Sequence, residues 1–264
     1  MNIVQYFPAV RSVIPYAYTI NQPNVPGSLR TVLVVKSKDG RFICKFNHRG
    51  LAAKNAVVSN SLRGRGIIVP DIKIYNYDEK WFELYRMIPG LTLYEHMGKG
   101  LTNADLQYIY HDMVDTFAKM DSINPKILKD MKYRYIHQVA YKNISDTNGQ
   151  FAGKIASRII QAMNSYNSDD YGIYHCGMTP KNVILDSDKK FHALLDLDEI
   201  AIADRNYAFA MMAAKYQKSG HNIMDLIQYY EEQTGIKLDH KKIKRIVETV
   251  NIGKHILYNG AKSR

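Results

Sequence analysis

The stretch from Tyr174 to Leu197 constrains this chain more than any other part of it. It reads Tyr-His-Cys-Gly-Met-Thr-Pro-Lys-Asn-Val-Ile-Leu, then a polar turn from Asp186 to Lys190, then Phe-His-Ala-Leu-Leu-Asp-Leu. Val183–Leu185 and Ala193–Leu195 are short apolar runs separated by turn chemistry, so both read as strand-like. Each is flanked by one oxygen-bearing side chain: Asn182 precedes the first run and Asp196 follows the second. A neutral amide oxygen and a carboxylate suit a hard Mg2+ ion held against phosphate groups. Either residue alone would be surface decoration; the pair at this spacing is a candidate metal site.

Around this stretch the hydrophobic period divides the chain. Before Pro89-Gly90 the pattern alternates. Thr31–Lys36 and Arg41–Phe46, joined by Ser37-Lys-Asp-Gly40, read as a hairpin. Ala52–Leu62 reads as a helix, followed by short strands at Ile72–Tyr75 and Trp81–Met87. Beyond Pro89-Gly90 the period becomes helical. Leu93, Met97, Leu101, Leu106, Ile109, Met113, Val114 and Phe117 share amphipathic faces, with Thr102 a cap before Asp105. Further helices are expected over Ile155–Tyr166, Tyr207–Tyr216, Ile223–Thr234 and Lys241–Leu257. The reading is α+β and bilobal: residues 1–90 a small, mainly β N-lobe, residues 91–264 a larger helical C-lobe.

Within the first segment, Lys45 ends a strand between Cys44 and Phe46. A lysine placed after a hairpin and before a helix can pair with the α- and β-phosphates of a nucleotide. Asn21–Ser28 lies where a phosphate-covering loop would fall, and Gly27 and Ser28 could offer backbone N–H groups. No Glu or Asp occurs between Phe46 and Pro70, so the helix that follows Lys45 supplies no carboxylate to it. Asn55 is the helix residue placed to hydrogen-bond the lysine instead.

These motifs together resemble the aminoglycoside phosphotransferase and choline kinase family, which has a protein-kinase-like fold. That family has a His, an Asp two residues on, an Asn five further and another Asp about a dozen later. Here His175, Asn182 and Asp196 hold three of those places and Gly177 holds the first Asp position. Pro180 and the segment Asp204-Arg-Asn-Tyr-Ala-Phe-Ala210 add to the likeness, with Ala208 in place of a second Asp. Leu84–Leu93 resembles the family's hinge, which implies adenine contacts by backbone groups of Tyr85, Arg86 and Met87. The resemblance implies ATP or GTP with Mg2+ as cofactors. It also implies a small hydroxylated acceptor, such as a sugar, amino-sugar or amino alcohol.

Gly177 has no side chain to orient the acceptor or accept its proton. Asp198, two residues from Asp196, is the candidate substitute, because an extended segment would turn both carboxylates to one face. His175 more readily braces the loop than serves as base. Two readings therefore stay open: a phosphotransferase, and a catalytically impaired pseudokinase that binds nucleotide as a regulatory or scaffold module. A net charge of +11 raises a third, nucleic-acid binding. The basic residues are dispersed, however, and the cluster at Asp239–Arg245 has the spacing of a solvated helix face, which argues against it. No run approaches a membrane span and the N-terminus lacks signal-peptide character. With two cysteines only, a reducing cytoplasm is the expected location.

Overall fold

The computed structural model describes residues 3–22, 31–128 and 171–248. The chain divides into two compact units, Met1–Gly90 with Ala193–Asp198, and Leu91–His192 with Glu199–Arg264. The six residues Ala193–Asp198, which the sequence reading left in the second segment, belong to the first unit. Their apolar run is held there in part by the Leu194 amide, which donates to Ile68 O at 3.0 Å.

The first unit contains α1 (Phe7–Val13), β1 (Thr19–Asn21), β2 (Val32–Ser37), β3 (Gly40–Phe46), α2 (Arg49–Arg63), β4 (Lys73–Tyr77) and β5 (Lys80–Arg86). The strands form an antiparallel sheet in the order β1-β2-β3-β5-β4. Ser37 pairs with Gly40 across a two-residue turn, and Gly40 has φ +127, a region that favours glycine. Asp78 and Glu79 both take positive φ between β4 and β5, as the tight hairpin turn of right-twisted strands demands. Alternation then sorts the side chains. Leu33, Val35, Cys44, Phe82 and Leu84 pack with Ala9, Val10 and Ile14 from α1 into one core. Lys45 and Glu83, paired in register on β3 and β5, take the other face. The sequence reading left α1 out: it is seven residues long and offers too short a window for periodicity.

The second unit contains β6 (Leu91–Thr92), α3 (Leu93–Met97), α4 (Asn103–Asp121), β7 (Tyr171–His175), β8 (Val183–Leu185), the start of β9 (Phe191–Leu194), β10 (Ile200–Asp204), α5 (Arg205–Lys218) and α6 (Ile223–Thr234). Residues 240–248 are helical and are called α7. The expected helix over Ile155–Tyr166 and the end of the one over Lys241–Leu257 lie outside the described residues. Thr92 with Glu95 and Thr102 with Asp105 form reciprocal caps that start α3 and α4. α4 buries Leu106, Ile109, Tyr110, Met113, Val114, Phe117 and Met120, the three-and-four spacing of a core-facing stripe. At its end Asp121 accepts hydrogen bonds from Tyr174, Tyr230 and Arg205, joining α4 to β7, α6 and α5.

β7 and β10 pair antiparallel with Ile200 opposite His175 and Asp204 opposite Tyr171. The sequence reading missed this ladder. Asp204 caps α5 by accepting from the Tyr207 amide at 2.9 Å, and its other oxygen pairs with Lys242 of α7 at 2.8 Å. Both side chains are almost fully buried, at 3% and 1% exposure. Removing one member of such a pair strands the other charge. Lys242→Ala should therefore lower stability by about 3–5 kcal/mol, read as a fall in the urea midpoint.

Candidate functional site

In the first unit, the site residues gather around Lys45. Its ammonium donates to Asp196 Oδ1 at 2.7 Å and pairs with Asp198 Oδ2 at 2.5 Å. The Lys45 side chain is 11% exposed, Asp198 8% and Asp196 39%. Asp198 is thus the inner partner and Asp196 the outer one. Asp196 sits at φ +57, uncommon for a residue with a side chain and a conformation that surrounding structure must hold in place.

Asp198 is braced from α2. The Asn55 amide nitrogen donates to Asp198 Oδ1 at 2.5 Å and to Glu83 Oε1 at 2.8 Å. Lys54 is 2% exposed and donates to the Asp198 carbonyl at 2.9 Å. Asn47 donates to the same Glu83 oxygen at 2.5 Å. Two expectations change here. Asn55 binds the carboxylates of Asp198 and Glu83 through its amide nitrogen instead of accepting from the lysine, and its amide oxygen is buried with no hydrogen-bond partner among the described residues. The carboxylate expected to stand in for the missing base has both oxygens engaged, one by Lys45 and one by Asn55. Lys45 does have ionic tethers, and they come from the Ala193–Asp198 segment.

Burial, and then Glu83, Asp196 and Cys44, push the Tyr85 phenol well above its ordinary range. Burial alone pushes the Cys44 thiol up to about 12, so it is a packed, unreactive sulfur. Of the three hinge positions, Met87 has its N–H committed to Arg41 O at 2.9 Å. Antiparallel alternation turns the backbone groups of Arg86 away from β3, while its guanidinium reaches Asp39 O at 2.7 Å. Gly27 and Ser28 lie outside the described residues.

In the second unit, the loop after β7 is a hydrogen-bonded knot. His175 is 1% exposed, and its Nδ1 accepts from the Gly177 amide at 3.2 Å, a bracing arrangement. The Gly177 carbonyl accepts from the Thr179 amide at 2.7 Å and from Asn182 Nδ2 at 2.8 Å. The Pro180 carbonyl accepts from the Tyr94 amide at the start of α3. With its nitrogen spent on Gly177, Asn182 keeps the amide oxygen as the group it can offer a cation. Among the described residues no cluster of three or more His, Cys, Asp or Glu could cage a metal ion. Mg2+ needs few protein ligands, because it keeps waters and takes substrate phosphates for its other positions.

The sequence reading overlooked Glu199. Its side chain lies over Gly177: a Cβ built on that glycine would stand 2.6 Å from Glu199 Cγ and 2.8 Å from its Cβ. The Glu199 carbonyl accepts from the Cys176 amide at 3.0 Å, continuing the β7–β10 ladder. Burial, with Cys176 and Glu199 adding to it, also holds the Tyr207 phenol above its usual range. A bare glycine where a side chain is expected was the one signal that something else fills the space.

Residues 20–236 match the model of a phosphotransferase enzyme family. Solved structures share the fold at low identity. An aminoglycoside phosphotransferase, APH(3'')-Id from Streptomyces rimosus, is 14% identical over 94% of this chain and 97% of its own, with a TM-score of 0.68. APH(2")-IIIa, solved with GDP and kanamycin, is 11% identical over 99% and 93%, TM-score 0.68. The spectinomycin phosphotransferase APH(9)-Ia, solved with ADP and spectinomycin, is 15% identical over 97% and 87%, TM-score 0.65. No curated protein matches in sequence. The α+β architecture is that of these kinase-like proteins.

Proposed function

Because the chain belongs to the phosphotransferase enzyme family, whose model spans residues 20–236, we propose that it binds ATP or GTP with Mg2+ and passes the γ-phosphoryl group to a hydroxyl of a small molecule. The observation that carries this reading is the lysine braced between two aspartates of unequal exposure. Asp198, held by Asn55, fixes the ammonium from behind, and Lys45 is then ready to pair with phosphate oxygens. Asp196, the more exposed carboxylate, and the Asn182 amide oxygen serve as ligands of the divalent cation. When bound, that cation neutralises charge on the transferring phosphoryl group. The hinge contribution falls to the backbone groups of Arg86, since alternation commits those of Tyr85 to β3. Relatives of the same fold hold GDP with kanamycin and ADP with spectinomycin, which supports nucleotide use and a small acceptor. A net charge of +11 disfavours a polycationic acceptor and favours a neutral or anionic one.

Gly177 favours a second reading, a pseudokinase that binds nucleotide for regulation or scaffolding without phosphoryl transfer. The two buried free cysteines fit a reducing, cytoplasmic setting under either reading. No helix among the described residues is long and apolar enough to cross a membrane.

Thermal melts test nucleotide binding. ATP or GTP at about 100 times Kd should stabilise the protein by about 2.7 kcal/mol, and only with Mg2+ present. Lys45→Ala should lose most of that shift. A melting temperature unmoved by both nucleotides would remove the proposal. Turnover with hydroxylated acceptors then separates an enzyme from a pseudokinase.

A further inference from the structure

We propose that Glu199 supplies the carboxylate that position 177 lacks, accepting the proton of the acceptor hydroxyl during phosphoryl transfer. The inference rests on the phosphotransferase reading above and deepens it by assigning the missing base.

Three observations carry it. The first is space: Glu199 Cγ stands 2.6 Å from where a Cβ of residue 177 would lie, and Glu199 Cδ stands 3.2 Å from that point. No ordinary Cβ tolerates the shorter distance, so a side chain at 177 and this placement of Glu199 exclude each other. An aspartate side chain carries its carboxyl carbon one bond, about 1.5 Å, beyond Cβ. The Glu199 carboxyl group therefore falls within a rotamer change of the place an aspartate at 177 would reach. The second is anchorage. The Cys176 amide donates to the Glu199 carbonyl at 3.0 Å, and Ile200 pairs with His175, so strand register fixes residue 199 beside the loop. The third is the commitment of the rivals. Asp198 is engaged by Lys45 and Asn55, Asp196 by Lys45, and His175 is buried with Nδ1 accepting from Gly177. Glu199 is an exposed residue, as a group that meets an acceptor from solvent must be.

The step balances without further reagents. The acceptor oxygen forms a bond to the γ-phosphorus as the bond from that phosphorus to the β–γ bridging oxygen breaks. The hydroxyl proton passes to a Glu199 carboxylate oxygen and later to water. Products are the phosphorylated acceptor and the nucleoside diphosphate. Water can take the acceptor's place, so slow nucleotide hydrolysis reads the same group.

The experiment uses the full chain with Mg-ATP or Mg-GTP as probe, following hydrolysis together with the nucleotide-induced rise in melting temperature. Glu199→Gln should slow hydrolysis by about 10²–10⁴-fold and leave the nucleotide shift intact. Glu199→Ala should behave alike, and the double variant Gly177→Asp with Glu199→Ala should recover turnover by returning a carboxylate from the loop itself. Hydrolysis by Glu199→Gln at the wild-type rate overturns the proposal. So does loss of the nucleotide shift in that variant, which would make Glu199 structural. Absence of turnover in the wild-type protein also overturns it, leaving the nucleotide-binding reading in place if the shift persists. If the wild-type protein shows no shift, that reading falls as well.

Discussion

Asp198→Ala should destabilise the protein by about 3 kcal/mol and weaken nucleotide binding along with it. The reason is burial. Asp198 and Lys45 are 8% and 11% exposed, and breaking a buried ion pair from one side leaves the other charge uncompensated, at about 3–5 kcal/mol. Lys45 keeps Asp196 at 2.7 Å, which places the effect at the lower end. Asn55 loses its bond to Asp198 but keeps Glu83, while Lys54 keeps the backbone carbonyl of residue 198. A urea melt with a nucleotide titration separates this role from catalysis. Were turnover to fall while stability and nucleotide affinity stayed at wild-type values, Asp198 would be the base and not the brace.

Asp196→Ala should act in the opposite pattern: little change in stability, and a loss of Mg-dependent turnover of roughly 10³-fold. Asp196 is 39% exposed, so its pair with Lys45 is screened and contributes little to folding. Its removal also relieves a positive-φ position only in part, since alanine at φ +57 is strained too. In its proposed role as cation ligand it would bear on charge stabilisation worth several kcal/mol, and each 1.36 kcal/mol is about tenfold in rate. Initial-rate assays across Mg2+ concentrations check this. A variant with unchanged rate and unchanged Mg2+ dependence would take Asp196 out of the metal site.

What the sequence made legible was local or strongly periodic. Ile223–Thr234 is helical as expected, the β2–β3 hairpin forms around its two-residue turn, and Thr102 caps α4 as its pattern requires. The stretch holding His175, Gly177, Asn182 and Asp196 was legible as a motif because each residue has a fixed place along it, and Asp196 faces Lys45 at 2.7 Å. What stayed hidden depended on partners far apart in sequence. Lys45 and Asp198 are 153 positions apart, and nothing local says that the lysine's tether comes from beyond Asp196 instead of from α2. The β7–β10 ladder is likewise a matter of register between distant segments, and it alone brings Glu199 over Gly177. Asn55 was placed near the lysine correctly, but which carboxylates it holds follows from the pairing of Lys45 with Glu83 across β3 and β5.

The most direct measurement is the binding of Mn2+, a paramagnetic substitute for Mg2+, followed by electron paramagnetic resonance with ADP or GDP present. The account predicts tight Mn2+ binding that needs nucleotide and is lost in both Asn182→Ala and Asp196→Ala while both variants stay folded. Mn2+ bound equally well by the two variants, or by the protein without nucleotide, would contradict it.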